Sequence, residues 1–178
     1  MKPLLYAALA LGLCSCGVSS ATHPENVLAF NSFDELDGWV PEGSMPFLTR
    51  EKSHSGAYSA SVNQAVEYAA GYNNSLGKLS PTRLTKMRVH AWVWVPSSEA
   101  KASLVVEVTE PGTNKMLHSE YIDMIESSGK NYHKWTELEK VIALPVEVTS
   151  NSLLKIYLWR NQSPHPVYLD DFQLERAE

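Results

Sequence analysis

The chain has 178 residues, 44% of them hydrophobic, and 15 Lys and Arg against 20 Asp and Glu give it a formal net charge of -5. That length suffices for a single domain with its own core. The charges are mixed in sign and no Lys/Arg cluster could follow a phosphate backbone, which excludes nucleic acid as an expected partner.

The first residues read MKPLLYAALALGLCSCGVSS, with one Lys, an apolar run from Leu4 to Leu13, and small residues around Cys14 and Cys16. The run is too short to span a bilayer and fits a secretory signal. Leu13-Cys14-Ser15-Cys16 resembles the bacterial lipoprotein processing box. By that resemblance residues 1–15 form the signal peptide and Cys16 becomes the acylated first residue, anchored in the lipid bilayer of the cell envelope. Each buried acyl methylene contributes about 0.8 kcal/mol to such an anchor. Gly17, in place of an Asp, points by the same resemblance to the outer membrane. Ordinary cleavage is the alternative; it would leave thiols exposed in an oxidising compartment. No cysteine follows Cys16, so the mature chain has no disulfide framework. Residues 16–25 read as the lipidated Cys and a polar tether.

Residues 26–178 read as one β-domain. Runs at 26–30, 57–62, 86–95, 103–110, 153–160 and 166–175 are alternating or β-branched, and Pro96, Pro111-Gly112 and 161–166 break them. This is the pattern of an all-β, two-sheet antiparallel β-sandwich. WTELEKVIAL (135–144) is ambiguous between helix and strand and is assigned as a strand. GYNNSLGKLS (71–80) has the wrong spacing for a phosphate loop and reads as a turn.

Side chains on a strand alternate between its faces. In 87–95, Met87, Val89, Ala91, Val93 and Val95 form a core row, leaving Arg88, His90, Trp92 and Trp94 on the other side. In 153–160, Leu154, Ile156 and Leu158 form the core row and leave Lys155, Tyr157 and Trp159. If both strands share a sheet, Trp92, Trp94, Tyr157 and Trp159 make one aromatic surface rimmed by Arg88, His90 and Lys155. Such faces suit sugar rings, whose C–H groups meet the negative π face while the rim serves the hydroxyls. Glu107, opposite the row Leu104, Val106 and Val108, is a further acceptor on such a face. The alternative is that loops cover these rings. Trp39 and Trp135 show no such pattern and read as core or edge packing.

Several segments in order resemble jelly-roll carbohydrate-binding modules of galactose-binding-like or xylan-binding type. They are Phe33-Asp34 with Gly38-Trp39, His54-Ser55-Gly56-Ala57-Tyr58-Ser59, Ala91-Trp92-Val93-Trp94-Val95-Pro96 and Val167-Tyr168-Leu169-Asp170-Asp171-Phe172. The resemblance implies a jelly-roll sandwich that binds a carbohydrate ligand. It also implies one structural calcium ion held by Asp34 and Asp170, with Asp171 in place of Asp170 if the last strand is bulged; otherwise these acids merely cap a strand or pair with Lys.

No motif carries catalysis. A lone Glu107 is not the carboxylate pair that glycoside hydrolysis needs. The six histidines lie at 23, 54, 90, 118, 133 and 165 without a zinc spacing, and no GxSxG elbow occurs. The expectation is therefore a non-enzymatic, lipid-anchored carbohydrate-binding protein. Its rival is an assembly lipoprotein whose aromatics dock a protein partner.

Overall fold

The computed structural model describes residues 24–36, 38, 43 and 45–178; the expected signal peptide, Cys16 and Trp39 lie outside the described residues. Among the described residues, ten strands form two antiparallel sheets. They are β1 (Val27–Asn31), β2 (Leu48–Thr49), β3 (Ser59–Val62), β4 (Tyr68–Ser75), β5 (Lys86–Trp94), β6 (Ser103–Thr109), β7 (Met116–Asp123), β8 (Trp135–Ala143), β9 (Leu153–Trp159) and β10 (Val167–Arg176). One sheet runs β2-β3-β10-β5-β8, with β1 also pairing β10; the other runs β4-β9-β6-β7. The two-sheet sandwich expected from the sequence is present. No helix among the described residues is long and apolar enough to cross a membrane.

The core lies between the sheets and is built from the predicted rows. Met87, Val89, Ala91, Val93 and Val95 are fully buried against Leu104, Val106 and Val108 of β6 and Leu154, Ile156 and Leu158 of β9. Each buried Val, Leu or Ile contributes roughly 1.5–3 kcal/mol relative to exposure, so these rows fix which way each strand faces. β5 runs without Gly or Pro, and Pro96, which has no N–H for a ladder bond, follows its end. The ambiguous 135–144 segment is a strand, β8, because pairing with β5 buries Leu138 and Ile142.

Three strands differ from the sequence reading: the two-residue β2, β4 and β7. Tyr68–Ser75 is an edge strand rather than part of a turn, and a one-turn helix, α1 (Leu76–Leu79), follows it. The pairing of β4 with β9 shifts register between Ala69 and Tyr72, and Ala70 there takes φ 56°. That bulge breaks the period-2 pattern that would have revealed the strand. β7 was also invisible: His118 and Glu120 occupy its inward parity, opposite Val108 and Val106. Glu120 is accommodated at the sandwich edge by Lys140, 3.2 Å away.

Candidate functional site

Both strands display the predicted parity, since Arg88, His90, Trp92, Trp94, Lys155, Tyr157 and Trp159 are all partly exposed opposite buried rows. They do not share one surface. β5 pairs β10 and β8, whereas β9 pairs β4 and β6. The Trp92/Trp94 and Tyr157/Trp159 pairs therefore lie on opposite outer faces of the sandwich. Parity reports the side of a strand but not which sheet it joins, which is why the single aromatic platform is not realised.

The outer face of the six-stranded sheet is roofed by the chain between β2 and β3. His54 stacks on Trp92 with ring centroids 3.8 Å apart and planes 10° from parallel. The Lys52 ammonium sits 4.2 Å above the Trp94 ring, and Tyr168 meets the same ring edge-on at 5.5 Å. The Tyr168 hydroxyl donates to Glu51 (2.6 Å), and burial first, then that carboxylate, raise its pKa. The expected polar rim is engaged within the protein. His90 pairs with Glu137 at 2.6 Å, and Arg88 with Glu139 at 3.1 Å and Glu175 at 3.4 Å. Trp135 stands beside Trp94 on edge strand β8.

The acids expected to hold calcium meet under this roof. Asp170 is fully buried; one of its oxygens accepts the backbone N–H groups of His54 (2.7 Å) and Ser55 (3.3 Å), and the other that of Asp171 (2.8 Å). Burial outweighs those donors and pushes its pKa up to about 6. Asp34 accepts the N–H groups of Ala57 (2.6 Å) and Tyr58 (3.1 Å) at the other end of the same turn. Gly56 between them has φ +54°, and any side chain there would overlap the Asp34 carboxylate. β10 is bulged after Asp170, with Asp171 at φ 46°, and Asp171 pairs with His54 Nδ1 and accepts from Ser55 Oγ, both at 2.6 Å. Among the described residues no three Asp, Glu, His or Cys side chains converge as a metal site. A buried carboxylate with no ion-pair partner among those residues nevertheless fits a cation. A calcium shell here would need backbone carbonyls and water beside Asp34 and Asp170.

The four-stranded sheet has an open outer face. Register sets Tyr68, Trp159 and Ser103 in one row across β4, β9 and β6, and Tyr157, Val105 and Tyr121 in the next, across β9, β6 and β7. A third row reads Asn73, Lys155, Glu107 and Ser119. Tyr68 and Tyr121 are 60% and 57% exposed, so both rings meet solvent. Tyr68 lies edge-on to Tyr157 at 5.7 Å, and Tyr121 to Trp159 at 6.3 Å. The aromatics screen Val105, which is fully buried although it faces outward.

Each inner ring is held in place. Trp159 Nε1–H donates to one oxygen of Glu67 (2.9 Å), and Arg160 Nε–H to the other (2.7 Å). Arg160 foremost holds the Glu67 carboxyl below its usual range. The Tyr157 hydroxyl donates to Glu107 (3.0 Å), and burial, then that carboxylate, raise its pKa. Sequence reasoning named Tyr157, Trp159, Lys155 and Glu107 but missed Tyr68, Tyr121 and Glu67. Tyr68 and Tyr121 lie on β4 and β7, neither of which the sequence reading assigns as a strand. Glu67 lies just outside any strand, with no pattern of its own.

No family profile and no curated protein matches the chain. Solved structures do. A family 22 xylan-binding domain from Paenibacillus barcinonensis Xyn10C superposes with a TM-score of 0.52 at 21% identity, covering 86% of this chain and 97% of that one. A family 16 carbohydrate-binding module superposes with a TM-score of 0.52 at 16% identity, covering 84% and 99%. The C-terminal family 22 module of Clostridium thermocellum Xyn10B, described by its ligand-binding cleft, gives 0.50 at 10% identity, covering 85% and 94%. The chain has the jelly-roll fold of carbohydrate-binding modules. At these identities the likeness establishes the architecture, and the ligand must be argued from the face itself.

Proposed function

We propose that the protein binds a polysaccharide, without catalysis, on the outer face of its four-stranded sheet. The observation that carries this is the open cluster of Tyr68, Tyr157, Trp159 and Tyr121 beside the polar row Asn73, Lys155, Glu107 and Ser119. Rings present apolar faces to the C–H side of a sugar, and the polar row reaches its hydroxyls. A xylan-type β-linked glycan is the first ligand to test, given what the superposed modules bind. A protein-docking face would favour a continuous apolar patch, whereas a polar row borders the aromatics here. On this reading Cys16 tethers the module to the outer membrane, and calcium held by Asp34 and Asp170 braces the opposite face.

Affinity electrophoresis against xylans and other soluble glycans tests the assignment. Trp159→Ala is expected to weaken binding at least about tenfold, the loss of roughly 1.4 kcal/mol or more. Unchanged retention of that variant would remove the site.

A further inference from the structure

Resting on the carbohydrate reading, we infer that the glycan carries carboxylate groups and that Lys155 and Asn73 seat them. Lys155 and Asn73 stand directly opposite each other on β9 and β4, one row from the Tyr157 ring. On its other side Lys155 faces Glu107 across the β9–β6 pair, the usual arrangement for a cross-strand ion pair. That pair does not form: Glu107 turns along the face to the Tyr157 hydroxyl, and Lys155 has no carboxylate within 4.0 Å among the described residues. Arg160, the other cation near the aromatics, is engaged by Glu67 and by the Ser163 carbonyl (3.1 Å). Lys155 is thus a cation held by its strand beside a sugar platform, with its charge uncommitted. The Asn73 amide likewise makes no side-chain hydrogen bond among the described residues, so its N–H can join the ammonium on one anion.

Geometry also selects the side of approach. Glu107 repels a carboxylate over β6, so the acid must arrive over β4, where Asn73 lies on the far side of Lys155 from Glu107. A neutral hydroxyl would use the same donors with less gain, because hydrogen bonds between ionised partners are about twice as strong. The ligand class that follows is a β-linked chain bearing uronic acid branches, its rings on Tyr157 and Trp159 and its carboxylate at Lys155.

The test compares glucuronoxylan with the same polymer after its carboxyl groups have been reduced to alcohols, measured by affinity electrophoresis and calorimetry at low salt. The wild-type chain is expected to prefer the acidic polymer about five- to tenfold. Lys155→Met keeps the aliphatic stem and should bind both polymers equally, no more tightly than the wild-type chain binds the reduced one. Raising salt should shrink the wild-type preference alone. Equal binding of both polymers by the wild-type chain, or a preference that survives in both Lys155→Met and Lys155→Gln, overturns the inference. Failure of the wild-type chain to bind either polymer, or any neutral glycan, overturns the carbohydrate reading and this inference with it.

Discussion

Trp94 and Trp159 are both half-buried tryptophans at the C-terminal ends of strands whose other side fills the core. Over Trp94 lies Lys52, with Tyr168 and, at 5.8 Å, His133 edge-on to the ring; beside Trp159 stand an exposed tyrosine and a carboxylate that grips the indole from its edge. On one face the polar partners come from a segment crossing over the rings, so the aromatics serve stability. On the other the indole's hydrogen-bond partner lies at its side, and Tyr68 and Tyr121 meet solvent. An outward aromatic stays uncovered only where no segment of the chain crosses over its ring.

The sharpest way to break this comparison is Trp94→Ala. Removing a ring packed under Lys52 and against Tyr168 is expected to cost about 2–4 kcal/mol in denaturant unfolding while leaving glycan retention unchanged. Lost binding in a folded variant would show that the roofed face also takes ligand.

Asp170 offers the next test, because among the described residues only the roofed face buries a carboxylate completely. Its folded pKa of about 6 lies above the ordinary carboxylate value, so the folded state binds more protons than the unfolded one between those two values. Without calcium, Asp170 should therefore make the protein lose stability as pH rises through that window, by on the order of 1–3 kcal/mol, with no further loss above it. Unfolding curves between pH 4 and 7, with and without Asp170→Asn, measure this. Calcium should raise the unfolding midpoint at pH 7 in the wild-type chain, and a chelator should reverse the gain. A midpoint indifferent to calcium would sink the metal proposal.

The smallest expected effect is at Glu67, which orients Trp159 without stacking on a sugar itself. Glu67→Gln keeps an acceptor for the indole but loses the Arg160 ion pair, and should weaken glycan binding only about two- to threefold, with unfolding little changed. Its lowered pKa gives a matching sign: the clamp is complete above the usual carboxylate range and is lost as pH falls through the folded value. A Gln variant with full affinity and the wild-type acid profile would make Glu67 incidental.

Much of the molecule could be read directly from its residues. The rows Met87 to Val95 and Leu154 to Leu158 are buried as their alternation requires, and the ambiguous 135–144 segment is a strand for the same reason. Tyr68 and Tyr121 could not be read. One lies on a bulged edge strand and the other on a strand whose inward side carries His118 and Glu120, so neither strand shows a clean period. The acids at Asp34 and Asp170 were placed by likeness alone; their meeting at one turn depends on β10 running beside β3, far away in the chain.

Taken alone, the sequence determined which side of each regular strand turns to the core, because burying apolar side chains is the largest favourable term in folding and its period of two is written in the residues. Only the tertiary structure decided which strands share a sheet and which outer face stays open. Both depend on pairings and loop crossings between residues distant in the chain, and no local pattern encodes them. That is why Trp92 and Trp94 lie beneath His54 and Lys52 while Tyr157 and Trp159 face outward with Tyr68 and Tyr121.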